Sequence, residues 1–126
     1  MDIRKLNKAV LAALEDIKAR DIEVYDVRHL TSLFERVVIA TADSVRQSKS
    51  LARNVHDKAR QLGVPVCGIE GDDAGEWVLV DLGDIVVHIM LPAVRTHYNL
   101  EELWNQAKPR APRKRAPRAP AAKESG

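Results

Sequence analysis

Apolar residues near the start of the chain recur at helical spacing. Ile3, Leu6, Val10, Ala13, Leu14 and Ile17 fall three, four or seven positions apart, which places them on one stripe. The pattern predicts a helix between Asp2 and Arg20, with Asp2 as its N-cap and Lys5, Lys8, Glu15 and Lys18 facing water. The period then changes to two. Ile22 to Val27 alternates apolar with mixed residues and predicts a strand. Thr31-Ser32-Leu33-Phe34 predicts a connection. Val37-Val38-Ile39-Ala40 is apolar without interruption and predicts a second strand covered on both faces. Ser44 is placed to cap a second helix running to about Leu62 and closed by Gly63, with Leu51, Val55, Ala59 and Leu62 facing inward.

Three more strands are expected: Val64 to Ile69, Trp77 to Leu82, and Ile85 to Met90. An acidic loop, Glu70 to Gly75, separates the first two. Gly83-Asp84 is so short a link that the last two should form an antiparallel hairpin. Pro92 can open a last helix, and Leu100 to Gln106 is also expected to be helical. The order α-β-β-α-β-β-β-α predicts an α/β fold: a mixed five-stranded sheet flanked by helices. The helix between the second and third strands is compatible with a parallel crossover.

Length and charge refine this picture. At 126 residues the chain fits one domain. The net charge of +2 hides an asymmetry. Residues 108–126 hold seven Lys/Arg against one Glu, while residues 1–107 hold 13 Lys/Arg against 17 Asp/Glu. The expected organisation is therefore an acidic domain, 1–107, followed by a basic Pro/Ala/Arg-rich tail, 108–126, with nothing to bury and so expected to be disordered. An acidic domain suits a basic protein partner better than nucleic acid. No apolar run approaches the roughly 18 residues of a membrane span. A single cysteine and a start unlike a secretory signal make the cytoplasm the default expectation.

Candidate chemistry narrows the field. There is no phosphate-gripping glycine loop, no dinucleotide fingerprint and no Gly-x-Ser-x-Gly. His29, His56, His88 and His97 lack metal-ligand spacing. Cys67, between Val66 and Gly68, reads as a small thiol inside an apolar strand. Glu70, Asp72, Asp73, Glu76, Asp81 and Asp84 crowd into fifteen positions. Two readings compete for them: a Mg²⁺ site for nucleotidyl or phosphoryl transfer, or a negatively charged docking face. Trp77 can be a core residue or an interface anchor. Trp104, with Leu100 and Leu103, reads as a core or dimer contact. The tail cations Arg110, Arg113, Lys114, Arg115 and Arg118 can contact phosphates or simply solubilise the chain.

Several stretches together carry a resemblance. They are Gly68-Ile69-Glu70-Gly71, the Trp77-opening strand, Asp81-Leu82-Gly83-Asp84, the pair Val87-His88, and Arg95-x-x-Tyr98-x-Leu100-Glu101-x-Leu103-Trp104. With Ala40-Thr41 and the Ser44, Arg46, Gln47 opening of a helix, they resemble the signature of the ribosomal silencing factor (Iojap) family over about residues 3–105. Leu33-Phe34-Glu35-Arg36 departs from that signature at Arg36, and the tail lies outside it. The resemblance implies a nucleotidyltransferase-like fold without transfer chemistry, hence no enzyme and no cofactor. It implies binding to large-subunit ribosomal protein L-fourteen, a block on joining of the large and small ribosomal subunits, and repression of translation when nutrients are short. It further implies homodimers off the ribosome.

On that reading, Glu70, Asp73, Asp81 and Asp84 supply charge to a basic partner. Trp77, Leu82, His88, Met90 and Tyr98 supply apolar anchors. Strand alternation puts Trp77, Leu79 and Asp81 on one face and Val78 and Val80 on the other, so Trp77 and Asp81 are expected outside and the valines inside. His88 and Met90 are expected to flank Trp77, and Leu82 can reach either side. The tail, which the resemblance does not cover, can contact ribosomal RNA or serve only as a solubilising extension.

Overall fold

A computed structural model describes residues 2–102. Helix α1 (Ile3–Asp16) begins where the Asp2 carboxylate accepts a hydrogen bond from the Arg4 backbone N–H at 3.0 Å. Leu6, Val10, Ala13 and Leu14 form its buried stripe. It ends without glycine. Lys18 takes the left-handed conformation (φ 67°), the Lys18 N–H donates to the Glu15 carbonyl, and the Ala19 N–H donates to the Leu14 carbonyl.

Strand β1 (Arg20–Asp26) runs antiparallel to β2 (Arg36–Thr41), with an irregularity in register between Arg20 and Glu23. Helix α2 (Val45–Gln61) follows, capped by Ser44, whose hydroxyl accepts from the Gln47 N–H at 3.0 Å. Gln47 also fixes the seam between the helices, because its side-chain amide donates to the carbonyls of Ile17 and Lys18. Gly63, at φ 78°, closes α2 as expected.

Then come β3 (Gly68–Glu70), β4 (Trp77–Asp81), β5 (Ile85–Met90) and α3 (Pro92–Tyr98). The strands are ordered β1-β2-β5-β4-β3. The expected hairpin is β4 against β5, and β5 pairs in parallel with β2. The two central strands, β2 and β5, are buried almost end to end, in keeping with their unbroken apolar runs.

The sheet has two different faces. On one, Val38, Ala40, Val78, Val80, Val87 and Ile89 pack with Leu6, Val10, Leu51 and Val55 of α1 and α2. Each fully buried Val, Leu or Ile there contributes about 1.5–3 kcal/mol. On the other, Tyr25, Val37, Ile39 and Met90 form a smaller cluster with Phe34, Trp77, Val94 and Leu100.

Two sequence expectations change. The third strand is three residues long, not six, and sits at the sheet edge. Cys67 lies before it and is exposed rather than buried, since an edge segment opened by Pro65 is covered on fewer sides. The tail from 108 and the expected helix beyond Glu102 lie outside the described residues.

Candidate functional site

The β4–β5 hairpin builds the site from strand alternation. Trp77 stands opposite Met90, Leu79 opposite His88, and Asp81 opposite Val86. All six side chains therefore share the face away from α1 and α2. The expected pairing of Trp77 with His88 and Met90 is observed.

Trp77 is half-buried and held from two sides. Its Nε1–H donates to His88 Nδ1 at 2.9 Å. The Tyr98 ring lies 4.9 Å away, centroid to centroid, tilted by 48°. His97 packs edge-on against Tyr98 at 4.9 Å. His88, Trp77, Tyr98 and His97 thus form a continuous ring path from the sheet to α3, and Tyr98 at its outer part is 56% exposed. Burial pushes the His88 pKa down to about 4, so the imidazole is neutral at pH 7. Because Nδ1 accepts the Trp77 hydrogen, the neutral ring carries its own hydrogen on Nε2.

The acidic turn abuts this ring path. Gly71 and Gly75 both have positive φ, and a Cβ at Gly71 would collide with the Trp77 carbonyl. A Cβ at Gly75 would come within 2.5 Å of Val45 Cγ1. The two glycines therefore let the turn fold tightly between the start of β4 and the start of α2. Glu70, Asp72, Asp73 and Glu76 are exposed around it. None of them forms an ion pair with a described residue.

The remaining predicted residues divide. Asp81 and Asp84 sit at the far end of β4, about 13 Å from Trp77 by strand rise. Asp84 is exposed, whereas Asp81 uses Oδ1 to accept from the Gly83 N–H at 2.9 Å and so shapes the turn. Leu82 is not an anchor: it is buried in the helix-side core. Met90 is also withdrawn, fully buried beneath Trp77 and its neighbours on the smaller cluster. His88 is only 8% exposed, and its ring is engaged by the Trp77 indole N–H. Alternation identifies a side chain's face, but burial depends on what covers that face. Arg110, Arg113, Lys114, Arg115 and Arg118 lie outside the described residues, as does Trp104.

Two residues of this region were named from sequence but not counted among the expected contacts. Leu79 is partly exposed between Trp77 and Asp81, on the face where alternation placed it. Arg95 is buried, and its Nε donates to Glu101 at 2.7 Å. Its Nη1 donates to the Asp21 carbonyl at 2.6 Å and the Thr41 hydroxyl at 2.7 Å. Arg95 thereby pins α3, and with it Tyr98, to the ends of β1 and β2. Partners 54 and 74 positions away leave no local signal.

The carboxylates do not converge. Among the described residues no group of three His, Cys, Asp or Glu side chains is placed to share a metal ion, and no helix is long and apolar enough to cross a membrane. The arrangement presents an aromatic ledge beside unpaired negative charge.

A family model described as ribosomal silencing factor during starvation matches residues 1–126. A ribosomal silencing factor of Chromobacterium violaceum is 53% identical over 109 residues, covering 86% of this chain and 89% of the relative. One from Bacillus subtilis is 37% identical over 107 residues, covering 85% and 91%. A crystal structure of a protein from Chromobacterium violaceum superposes with a TM-score of 0.81 at 54% identity, covering 82% of this chain and 87% of that one.

Proposed function

Because the chain belongs to the ribosomal silencing factor family, we propose that it represses translation by docking on the large ribosomal subunit and excluding the small one. The partner is a basic ribosomal protein on the face where the subunits meet, the L-fourteen protein of the family resemblance. The observation that carries this reading is Trp77, a half-buried ring fixed by His88 and Tyr98 beside the unpaired acidic turn. A large ring held in one orientation loses little entropy on binding, which favours it as an anchor. The carboxylates of Glu70, Asp72, Asp73 and Glu76 speed encounter with a cationic partner and fix its register.

The mechanism is occupancy. A folded domain of about 100 residues has a radius of gyration of roughly 13 Å, so it holds two docking surfaces well apart. No bond is made or broken, and the protein is not an enzyme. The scattered carboxylates give no support to the rival metal-dependent transferase. The protein acts in the cytoplasm. Off the ribosome, the exposed ring path is a surface on which two copies can pair. The tail, 108–126, adds phosphate contacts to ribosomal RNA through its cations.

The test is Trp77→Ala in the full chain, followed by binding to purified large subunits and sedimentation through a sucrose gradient. Affinity is expected to fall about 30-fold or more, roughly 2 kcal/mol. Wild-type protein should travel with free large subunits and be absent from joined ribosomes. Wild-type affinity in a correctly folded Trp77→Ala variant would remove this face from the interface.

A further inference from the structure

The molecule's charge is segregated in a way that its bulk composition conceals. Helix α2 carries Arg46, Lys49, Arg53, Lys58 and Arg60 against one acid, Asp57, although residues 1–107 have an excess of acids. Arg46, Arg53 and Arg60 are seven positions apart. Seven residues fall only about 20° short of two helical turns, so the three guanidinium groups stand nearly in line, about 10 Å apart along the axis. All three are exposed, and Lys49 is exposed beside them.

Among the described residues these cations are also without an ion-pair partner. Arg4, Arg20, Arg28 and Arg95 each hold a carboxylate, and Lys58 reaches Asp16 at 3.8 Å. Arg46, Lys49, Arg53 and Arg60 form no ion pair with any described residue. Asp57 on the same helix pairs with His56, and the acidic turn reaches only the start of α2 near Lys49, so no carboxylate of the described residues neutralises the ridge by direct contact.

We propose that the outer face of α2 is a second contact surface, which grips the phosphate backbone of RNA while the Trp77 face holds protein. Evenly spaced guanidinium groups suit a repeating anion. An acidic protein partner would call for an aromatic or apolar anchor at the centre of the contact, and the ridge has none. A lipid surface would need an apolar stripe to insert, but Leu51, Ala52, Val55 and Ala59 are already buried under the sheet. The ridge and Trp77 lie on opposite sides of the sheet, so both can be occupied at once. The choice of RNA rests on the ribosome-docking reading above.

The test uses the full chain, so that the tail is the same in every sample. Three variants are compared with wild type: Arg46→Gln/Arg53→Gln/Arg60→Gln, the same positions changed to Lys, and Trp77→Ala. Glutamine keeps helix propensity while removing charge, and matched thermal unfolding checks the fold. Binding to purified large subunits, and to a double-stranded RNA probe, is measured between 50 and 200 mM salt, both values of the order used to read phosphate contacts. The Gln variant should weaken binding, and its slope of log affinity against log salt should be shallower by about two to three, near one per lost phosphate contact. The Lys variant should keep the slope. Trp77→Ala should lose affinity for subunits with its slope unchanged.

A Gln variant with wild-type affinity and slope, alongside a weakened Trp77→Ala, overturns the ridge and leaves the docking reading standing. A shallower slope with unaffected Trp77→Ala supports the ridge and removes the docking face. Equal binding of all variants removes both. Vesicles of phosphatidylserine and phosphatidylcholine form the last arm, and charge-dependent binding there without binding to RNA overturns the assignment to RNA.

Discussion

The two faces of the β4–β5 hairpin use the same strands for opposite purposes. Toward α1 and α2, Val78, Val80, Val87 and Ile89 are completely buried. Toward the other side, Trp77, Leu79 and Asp81 remain partly open, and the seven-residue α3 supplies the ring of Tyr98. The sealed face has two helices of 14 and 17 residues packed on it. The difference teaches that one alternating sequence can build a sealed core on one side and leave a partly open aromatic ledge on the other. Substitutions on the two sides should therefore separate in their effects.

The largest effect should come from the sealed side. Ile89→Ala leaves a cavity beneath the helices and should cost about 2–5 kcal/mol in urea unfolding. The affinity of whatever remains folded should be close to wild type. A loss under 1 kcal/mol would mean that the helices do not seal this face as described.

Next comes a pH effect from the open side. The folded-state pKa of His88, about 4, lies below its ordinary value of 6.5, so its contribution to stability is complete above pH 6.5. As the pH falls, the unfolded chain takes up the proton first, and the contribution fades until it is gone below about pH 4. The full span is on the order of 3 kcal/mol. Wild type and His88→Gln should differ in the steepness of acid destabilisation between pH 6.5 and 4, wild type being the steeper. Parallel curves would show that His88 is not held neutral against Trp77.

The smallest effect again belongs to the helix side. Lys18 occupies a left-handed position that glycine adopts freely. Lys18→Gly should raise stability by up to about 1 kcal/mol, less the extra freedom glycine gives the unfolded chain. Binding to large subunits should not change. Altered binding would link this remote turn to the docking face and blur the separation of the two sides.

Much of this division was written in local sequence. Asp2, Ser44 and Gly63 mark helix ends because capping chemistry is a matter of a few neighbouring residues. The uninterrupted apolar strands are the central ones, and alternation put Trp77 and His88 together. What stayed hidden depends on distant pairing. Nothing near Ile85 says that β5 enters between β2 and β4. Leu82 and Met90 looked available because their covering elements are set by tertiary packing. Cys67 looked buried because the strand around it was expected to start earlier. The α2 ridge was overlooked when charge was summed over the whole domain.

The position of β5 has a consequence for how the protein is made. Its synthesis comes after both of its neighbours, yet it fills the middle of the sheet, with β2 on one flank and β4 on the other. Until Met90 has left the ribosome, β1–β2 and β3–β4 are two ribbons with no seam between them. The strand that joins them also carries His88, the residue that holds Trp77 in place. Completion of the sheet and fixing of the Trp77 ring therefore arrive together, late in synthesis.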